Sequence, residues 1–338
     1  MLTMLMTIAP MFVILLVGFL AGYAARFRQA QSSLNGFVFY FGLPCFVFSA
    51  IVSAPPGGIP AGALIIAAGV TLSIAAATYG AARVLGAKAS AGAAPTSLAA
   101  TFGNVGYFGI PITLSTVGPE AALAAGIIHL VHNMVFMTGY PVVRTAVTGM
   151  SASASRGVET RATGTRAATG GFRSIWRRRL WPIVRQAVLL NPVAIAMAAA
   201  LLVGLSALTV PEVLSESVAM VGQTAVPLAL FAVGLAMHPA LEGIRSGGVP
   251  RRSILLGTAV KLLLLPVVTW LAVLLAYDHL GPVWAATLVL MAAMPSSTTV
   301  FIFSEEYDGD GRLAAAILVT STGLSLITLP LIAEFMRI

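Results

Sequence analysis

Thr101–Pro111 reads TFGNVGYFGIP, with three glycines, an asparagine and a proline inside an apolar stretch. Proline removes a backbone hydrogen bond and glycine weakens a helix, so a continuous helix is not expected here. A second stretch, Ala292–Thr299, reads AAMPSSTT, where a proline precedes four hydroxyl residues. It is expected to unwind or kink in the same way. Broken backbone at membrane depth survives only where protein buries it or where it lines a polar cavity. Half-helices that restart after such breaks point free N–H groups and partial positive charge toward the centre. Two such ends facing each other make an anion site without an arginine. The competing reading for either segment alone is a packing kink, with hydroxyls bonded back to the i−4 carbonyl.

Outward from these stretches the chain stays apolar. Of 338 residues, 58% are hydrophobic and 9% charged, against roughly 25% charged in a soluble domain. A soluble fold that short of charge could not cover its own surface. The apolar residues fall in blocks of about twenty, the length that crosses a hydrocarbon core of about 30 Å. Ten spans are predicted, at 5–25, 34–53, 61–83, 96–117, 121–143, 188–208, 216–237, 253–277, 282–304 and 312–334. Met1–Gly22 lacks the basic start and cleavage site of a signal peptide, and reads as the first span.

The net charge of +8 does not point to nucleic acid, because the basic residues sit in short connectors. Arg26, Arg28, Arg83, Lys88, nine arginines from Arg144 to Arg185, Arg245, Arg251, Arg252 and Arg312 all fall on alternate connectors. The opposite connectors carry Glu120, Glu212, Glu216 and Asp278. The positive-inside rule then places the basic side in the cytoplasm and both termini outside the cell membrane. Cys45 is the single cysteine, so neither a disulfide framework nor a thiol metal cluster is expected.

The expected fold is an all-α polytopic membrane protein with ten helices in a five-plus-five inverted repeat, broken in helices 4 and 9. The first repeat is 1–144 and the second 188–338, joined by a basic cytoplasmic linker at 145–187. Trp176 and Trp181, interleaved with arginines in Phe172–Arg185, suit an interfacial helix. Proline spacing supports the repeat. Pro44 and Pro111 stand 67 residues apart, and Pro227 and Pro295 stand 68 apart. Further on, Pro111–Pro141 spans 30 and Pro295–Pro330 spans 35. Such inverted repeats with broken helices are an architecture of secondary transporters, with the site near the midplane.

GNVGYFGIP (Gly103–Pro111), FYFGLPCFVFSAI (Phe39–Ile51), AVPLALFAVGLAM (Ala225–Met237) and AAMPSSTTVFIFSEEYDGD (Ala292–Asp310) resemble the auxin efflux carrier family. That family includes plant PIN-FORMED exporters and bacterial carriers for malonate and malate. The resemblance implies a scaffold of helices 1, 2, 6 and 7, and a transport domain of helices 3–5 and 8–10 that moves as an elevator. It also implies a homodimer formed through the scaffold. It carries over Asn104, Gly106 and Pro111, and Pro295 with Ser296, Ser297 and Thr298, as the crossover site for a small organic anion. Gly109, in the same motif, joins this candidate binding set.

The remaining intramembrane polar residues are candidates on their own chemistry. His129 and His132, spaced i, i+3 on one helical face, suit a proton relay or substrate contact, or else a neutral hydrogen-bonded pair. Asn133 lies beside them. Gln223 reads as a polar contact from the scaffold side or as interhelical glue. Lys261 is expected to snorkel to the cytoplasmic edge, or to serve as a counter-charge for the substrate. No metal site is expected, for want of a third ligand. Glu305, Glu306, Asp308 and Asp310 read as a solvated loop paired with neighbouring arginines.

No nucleophile elbow, Walker loop or dinucleotide fingerprint appears, so neither an enzyme nor an ATP-driven pump is expected. The function expected is secondary active transport of mono- or dicarboxylates such as malonate or malate. The alternatives are a carrier of auxin-like aromatic acids, or a transporter-derived sensor or channel. No cofactor is expected, and H+ or Na+ would be the coupling ion. Partners are the anion, the lipid bilayer and a second copy of the chain.

Overall fold

The computed structural model describes residues 2–53, 58–140, 190–206, 210–245, 248–306 and 309–336. Among them the secondary structure is helical, apart from an isolated antiparallel bridge between Gly103 and Ser296. The basic linker, with Trp176 and Trp181, lies outside the described residues.

α1 (Leu2–Ala21) turns into α2 (Ala25–Phe37) at Gly22–Ala24. There Arg28 donates from Nη1 to the carbonyls of Gly22 (2.6 Å) and Tyr23 (3.3 Å). A cation at a helix C-terminus suits the negative end of the dipole. A wide π turn, Val38–Gly42, leads on to α3 (Leu43–Ser53). The second helical stretch thus begins at Ala25 and not at residue 34. The run Arg26–Asn35 is polar and falls outside an apolar window, yet Arg, Gln, Ala and Leu are good helix formers.

α4 (Ala61–Val84) is followed by α5 (Ala94–Thr101), α6 (Ile110–Thr116) and α7 (Ala122–Asn133). Gly118, at φ 124°, makes the turn before α7. In the second half, Asn191 Oδ1 accepts from the Val193 N–H (2.9 Å) and caps α8 (Pro192–Leu205). Proline at the first helical position completes a strong start signal. α9 (Glu212–Gln223) and α10 (Ala225–Arg245) are separated by Thr224 alone. α11 (Arg251–Ala259) passes through a π turn, Val260–Leu264, into α12 (Leu265–Ala293). Gly281, at φ 71°, kinks α12 just before Pro282, between the stretches read as the eighth and ninth spans. α13 (Thr299–Glu306) and α14 (Gly311–Met336) end the chain.

Helix occurs in each of the ten stretches predicted to be spans. Among the described residues, five helical segments are long and apolar enough to cross a membrane: Ala25–Ser53, Ala61–Val84, Glu212–His238, Arg251–Ala293 and Gly311–Phe335. The stretches containing TFGNVGYFGIP and AAMPSSTT are interrupted, so they do not qualify as single helices.

Small residues decide how closely the helices approach. α1 lies along α10, where Gly18 faces the Phe231 backbone and Gly234 faces the backbone of Leu15 and Phe19. Gly222 of α9 meets the backbone of Cys45 and Phe46 in α3. Without a hydrophobic drive between helices in lipid, such close contact supplies the packing. Near the end of the α1–α10 seam, His238 Nε2 lies 2.6 Å from the Phe19 carbonyl oxygen. Its ring stacks on Phe19 and meets Tyr23 edge-on. α3 also packs on α8, while α5 packs on α4, α11 and α14, and α12 packs on α4 and α7.

The acidic run holds one structural group that the sequence reading did not identify. Asp310 Oδ1 accepts from the N–H groups of Arg312 (3.0 Å) and Leu313 (3.2 Å), which caps α14. Its ion pair with Arg312 is long and exposed (3.7 Å), and contributes little. Asp310→Ala is therefore expected to lower stability by about 1 kcal/mol through loss of the cap, read as a fall in the midpoint of thermal unfolding. Arg312→Ala should leave the midpoint nearly unchanged.

Candidate functional site

The two broken stretches meet. The Asn104 N–H donates to the Pro295 carbonyl (2.7 Å), and the Ser297 N–H donates to the Phe102 carbonyl (2.9 Å). Glycine and proline remove the helical partners of these groups, and each break then supplies the partners that the other has lost. That answers the requirement that buried backbone be satisfied away from water. Ser296 adds a further tie, donating from Oγ to the Ala99 carbonyl, while its own N–H donates to Ser321 Oγ (3.2 Å).

Each broken helix has two ends, and the two resuming ends share one cavity. α5 and α12 stop at Thr101 and Ala293, presenting carbonyls. Helix resumes at Val105, through a π turn into α6, and at Thr299, presenting N–H groups. A cavity of about 80 Å³ opens at the resuming ends. Its walls include Asn104, Val105, Gly106 and Tyr107 from one break, and Ser297 and Thr299 from the other. Phe39 and Leu43 close it from the α2–α3 junction, and His129 and Asn133 from α7. Ser297 Oγ accepts from the Thr299 N–H (3.3 Å), as a helix cap does. Asn104 is buried, and its Nδ2 has no hydrogen-bond partner among the described residues.

His129 is fixed from its own helix, its Nε2 lying 3.0 Å from Asn133 Nδ2. Gly106 lies against this ring. A Cβ there would stand 2.9 Å from His129 Cε1. Gly106→Ala is therefore expected to displace the imidazole and weaken ligand binding with little loss of folded protein, measured by ligand-induced thermal stabilisation.

The other candidate residues fall at different places. His129 and His132 do not share one cavity: His132 lines a separate crevice with Thr71, Thr269, Met291 and Ala292. Spacing i, i+3 leaves two side chains about 60° apart around the helix axis, and the break lies across that interval. Lys261 does not snorkel. It is fully buried, and its Nζ donates to the Ala292 carbonyl in the last turn of α12 (3.0 Å). Gln223 is exposed at the end of α9 and lines no wall of the cavity.

Pro295 and Ser296 shape the break through backbone and hydroxyl bonds without lining the cavity, and Thr298 sits half-buried in the turn. Pro111 is buried behind the break. Gly109 leaves room for the Met291 thioether and the Met294 side chain. Sequence reasoning did not single out Tyr107, Thr299, Phe39 and Leu43. Tyr107 and Thr299 stand inside the two quoted motifs, and could have been found by asking which residues begin each resuming helix. Phe39 and Leu43 stand in FYFGLPCFVFSAI, quoted for the resemblance, but lie more than 50 residues before the break, so only packing brings them to the cavity.

A larger cavity of about 410 Å³ lies between α4, α5 and the end of α7, but its walls are almost wholly apolar. It suits hydrocarbon better than an anion. Among the described residues no three of His, Cys, Asp and Glu gather as a metal site would require.

The family model described as "Membrane transport protein" matches residues 3–333. A protein of Rhizobium meliloti (strain 1021) named "Putative malonate transporter" is 26% identical over 325 residues, covering 95% of this chain and 92% of its own.

Proposed function

We infer that this chain, which belongs to the membrane transport protein family that holds the auxin efflux carriers, is a secondary active transporter of small organic anions, mono- or dicarboxylates such as malonate. One observation carries the reading: the N-terminal ends of two broken helices open on a single cavity beside a buried amide nitrogen that lacks a partner among the described residues. Helix N-termini favour carboxylates, and an unpaired buried donor favours any ligand that satisfies it. The relative's name adds malonate as the first substrate to try. Family membership is that of a membrane transport protein.

Within this reading the chain has ten spans in two inverted halves, with the paired breaks as crossover helices 4 and 9. The group α4–α7 and α11–α14 carries the substrate past a scaffold of α1–α3 and α8–α10, which pairs in a homodimer. Both termini face outward. His129 and His132 are the groups available to a coupled proton. An aromatic acid of the auxin type is the second reading, favoured by the rings of Phe39, Phe102 and Tyr107 around the cavity.

Counterflow in proteoliposomes separates the two. Saturable exchange of labelled malonate, competed by unlabelled dicarboxylates and not by indole acetate, is the expected result. Exchange of indole acetate alone would favour the second reading, and no exchange of either would sink the carrier assignment.

A further inference from the structure

We propose that the apolar cavity between α4, α5 and the end of α7 holds an acyl chain of an anionic phospholipid, whose headgroup Arg83 and Lys88 bind. The cavity measures about 410 Å³. Packed protein leaves few voids larger than a water molecule, so a gap of this size between helices calls for a guest. Leu72, Ala75, Ala76 and Tyr79 of α4 form one wall, and Phe136 and Tyr140, just beyond α7, stand in another. The wall hydroxyls of α5 are already engaged. Ser97 Oγ donates to the Ala75 carbonyl (2.6 Å), and Thr101 Oγ1 donates to the Ser97 carbonyl (2.7 Å). Apolar cavities stay dry, and in a bilayer the apolar molecule at hand is a lipid tail.

Charge at one end selects the kind of lipid. Positions 72, 75, 76 and 79 follow helical spacing and make a single stripe, about 10 Å long at the rise of an α-helix. Arg83 is the next position on that stripe, one turn beyond Tyr79. Tyr79, half-buried, stands between the apolar stretch and the cation, a place aromatic residues favour at a membrane–water boundary. α4 then ends in a Schellman turn, in which the Ala87 N–H donates to the Ala82 carbonyl (2.9 Å) and Gly86 takes φ 88°. That turn brings Lys88 beside the cavity, where its neighbour Ala89 lines the wall. Arg83 donates from Nη1 to the Ala87 carbonyl (2.8 Å), which ties the guanidinium to the same turn. Both cations are exposed, and among the described residues neither forms an ion pair. The acidic residue that touches the following turn is Asp310, whose N–H donates to the Ala91 carbonyl (3.1 Å). Its Oδ1 is held by the start of α14 and by Arg312. Two cations at the mouth of an apolar slot match a headgroup of net negative charge, whereas a zwitterionic one brings its own ammonium toward them. The slot also backs onto the first break, since Phe136 stacks on Phe102 of the ligand cavity with ring centroids 4.6 Å apart.

Thermal unfolding of the purified full chain in detergent tests this with added phosphatidylglycerol against phosphatidylcholine of the same acyl chains. The wild type should gain several degrees more from phosphatidylglycerol. In the double variant Arg83→Gln, Lys88→Gln the two lipids should act alike. That difference is read within one variant, so a general loss of stability drops out. Ala76→Trp, at an exposed position in the wall, should fill the slot and gain little from either lipid. Phosphatidylglycerol with a photoreactive diazirine on its acyl chain should label 72–79 and 135–140 in the wild type and spare them in Ala76→Trp. Equal gains from both lipids in the wild type, or a preference that survives in the double variant, would overturn the proposal. So would labelling confined to other segments, the result expected if another part of the chain fills the cavity. If Ala76→Trp does not fold, the wild-type labelling still decides. No transport substrate is used, so failure of malonate exchange leaves the outcome intact.

Discussion

Asn104→Ala should abolish ligand-induced stabilisation and reduce malonate exchange tenfold to a hundredfold while leaving the protein folded. The two halves of that result come from different parts of one residue. The Asn104 backbone builds the break: its N–H donates to Pro295 O, and its carbonyl accepts from Phe108 and Gly109. Alanine keeps both groups. The side-chain amide has no partner for Nδ2 among the described residues, so its removal breaks no hydrogen bond made by that group. A hydrogen bond to a charged group contributes about 1.5–3 kcal/mol, which is about one to two decades in affinity. Asn104→Asp keeps the shape and places negative charge beside the resuming helices. It should bind anions more weakly than the alanine variant does. Titration of malonate against the unfolding temperature measures both variants. Wild-type stabilisation in Asn104→Ala would remove the cavity from the transport path.

Gly234→Val should prevent accumulation of folded protein. Gly234 lies where α10 meets the backbone of α1: a Cβ would stand 2.6 Å from the Phe19 amide nitrogen and closer still to the Leu15 carbonyl oxygen. Backbone on a packed helix cannot swing aside as a side-chain tip can. Gly18 forms the reciprocal contact on Phe231, so the helices would have to part at both crossings. Overpacking ordinarily costs about 1–3 kcal/mol, and with rigid neighbours on both sides the upper end or beyond is expected. Size-exclusion elution in detergent reads the loss directly. Gly80 in α4 is the control, since nothing lies within 4 Å of its virtual Cβ. Gly80→Ala should be neutral or stabilise by about 0.5–1 kcal/mol, as alanine does in a helix interior. Equal behaviour of the two glycine variants would show that close approach at Gly234 plays no part in holding α1 to α10.

The positions where helix stops were legible in the chain because they depend on local chemistry. TFGNVGYFGIP and AAMPSSTT interrupt apolar stretches with residues that cannot continue a helix whatever surrounds them, and both are interrupted in the fold. Asn191–Pro192 and Gly118–Pro119 stand at helix starts, a local signal that the apolar windows beginning at 188 and 121 did not use. The extent of the second helical stretch was not legible. Hydropathy reports where a helix is apolar, whereas the polar run Arg26–Asn35 is helical by propensity.

Side-chain destinations depend on partners far along the chain. Lys261 looked able to reach the membrane edge, but turns to a carbonyl 31 residues away in sequence. Gln223 looked like an inward contact and faces outward. His129 and His132 share a helical face on paper, yet fall on opposite sides of a break that only the packed protein contains.

The two broken stretches mark the division most clearly. Glycine, proline and hydroxyl content by itself determined that TFGNVGYFGIP and AAMPSSTT leave the helix, since each residue limits its own backbone. Only the tertiary structure decided that the breaks complete each other's hydrogen bonds, with N–H ends turned toward a cavity and the Ala292 carbonyl toward Lys261. A backbone group deprived of its helical partner must find another. The partner is set by what packs beside it, and that is a property of the assembled chain.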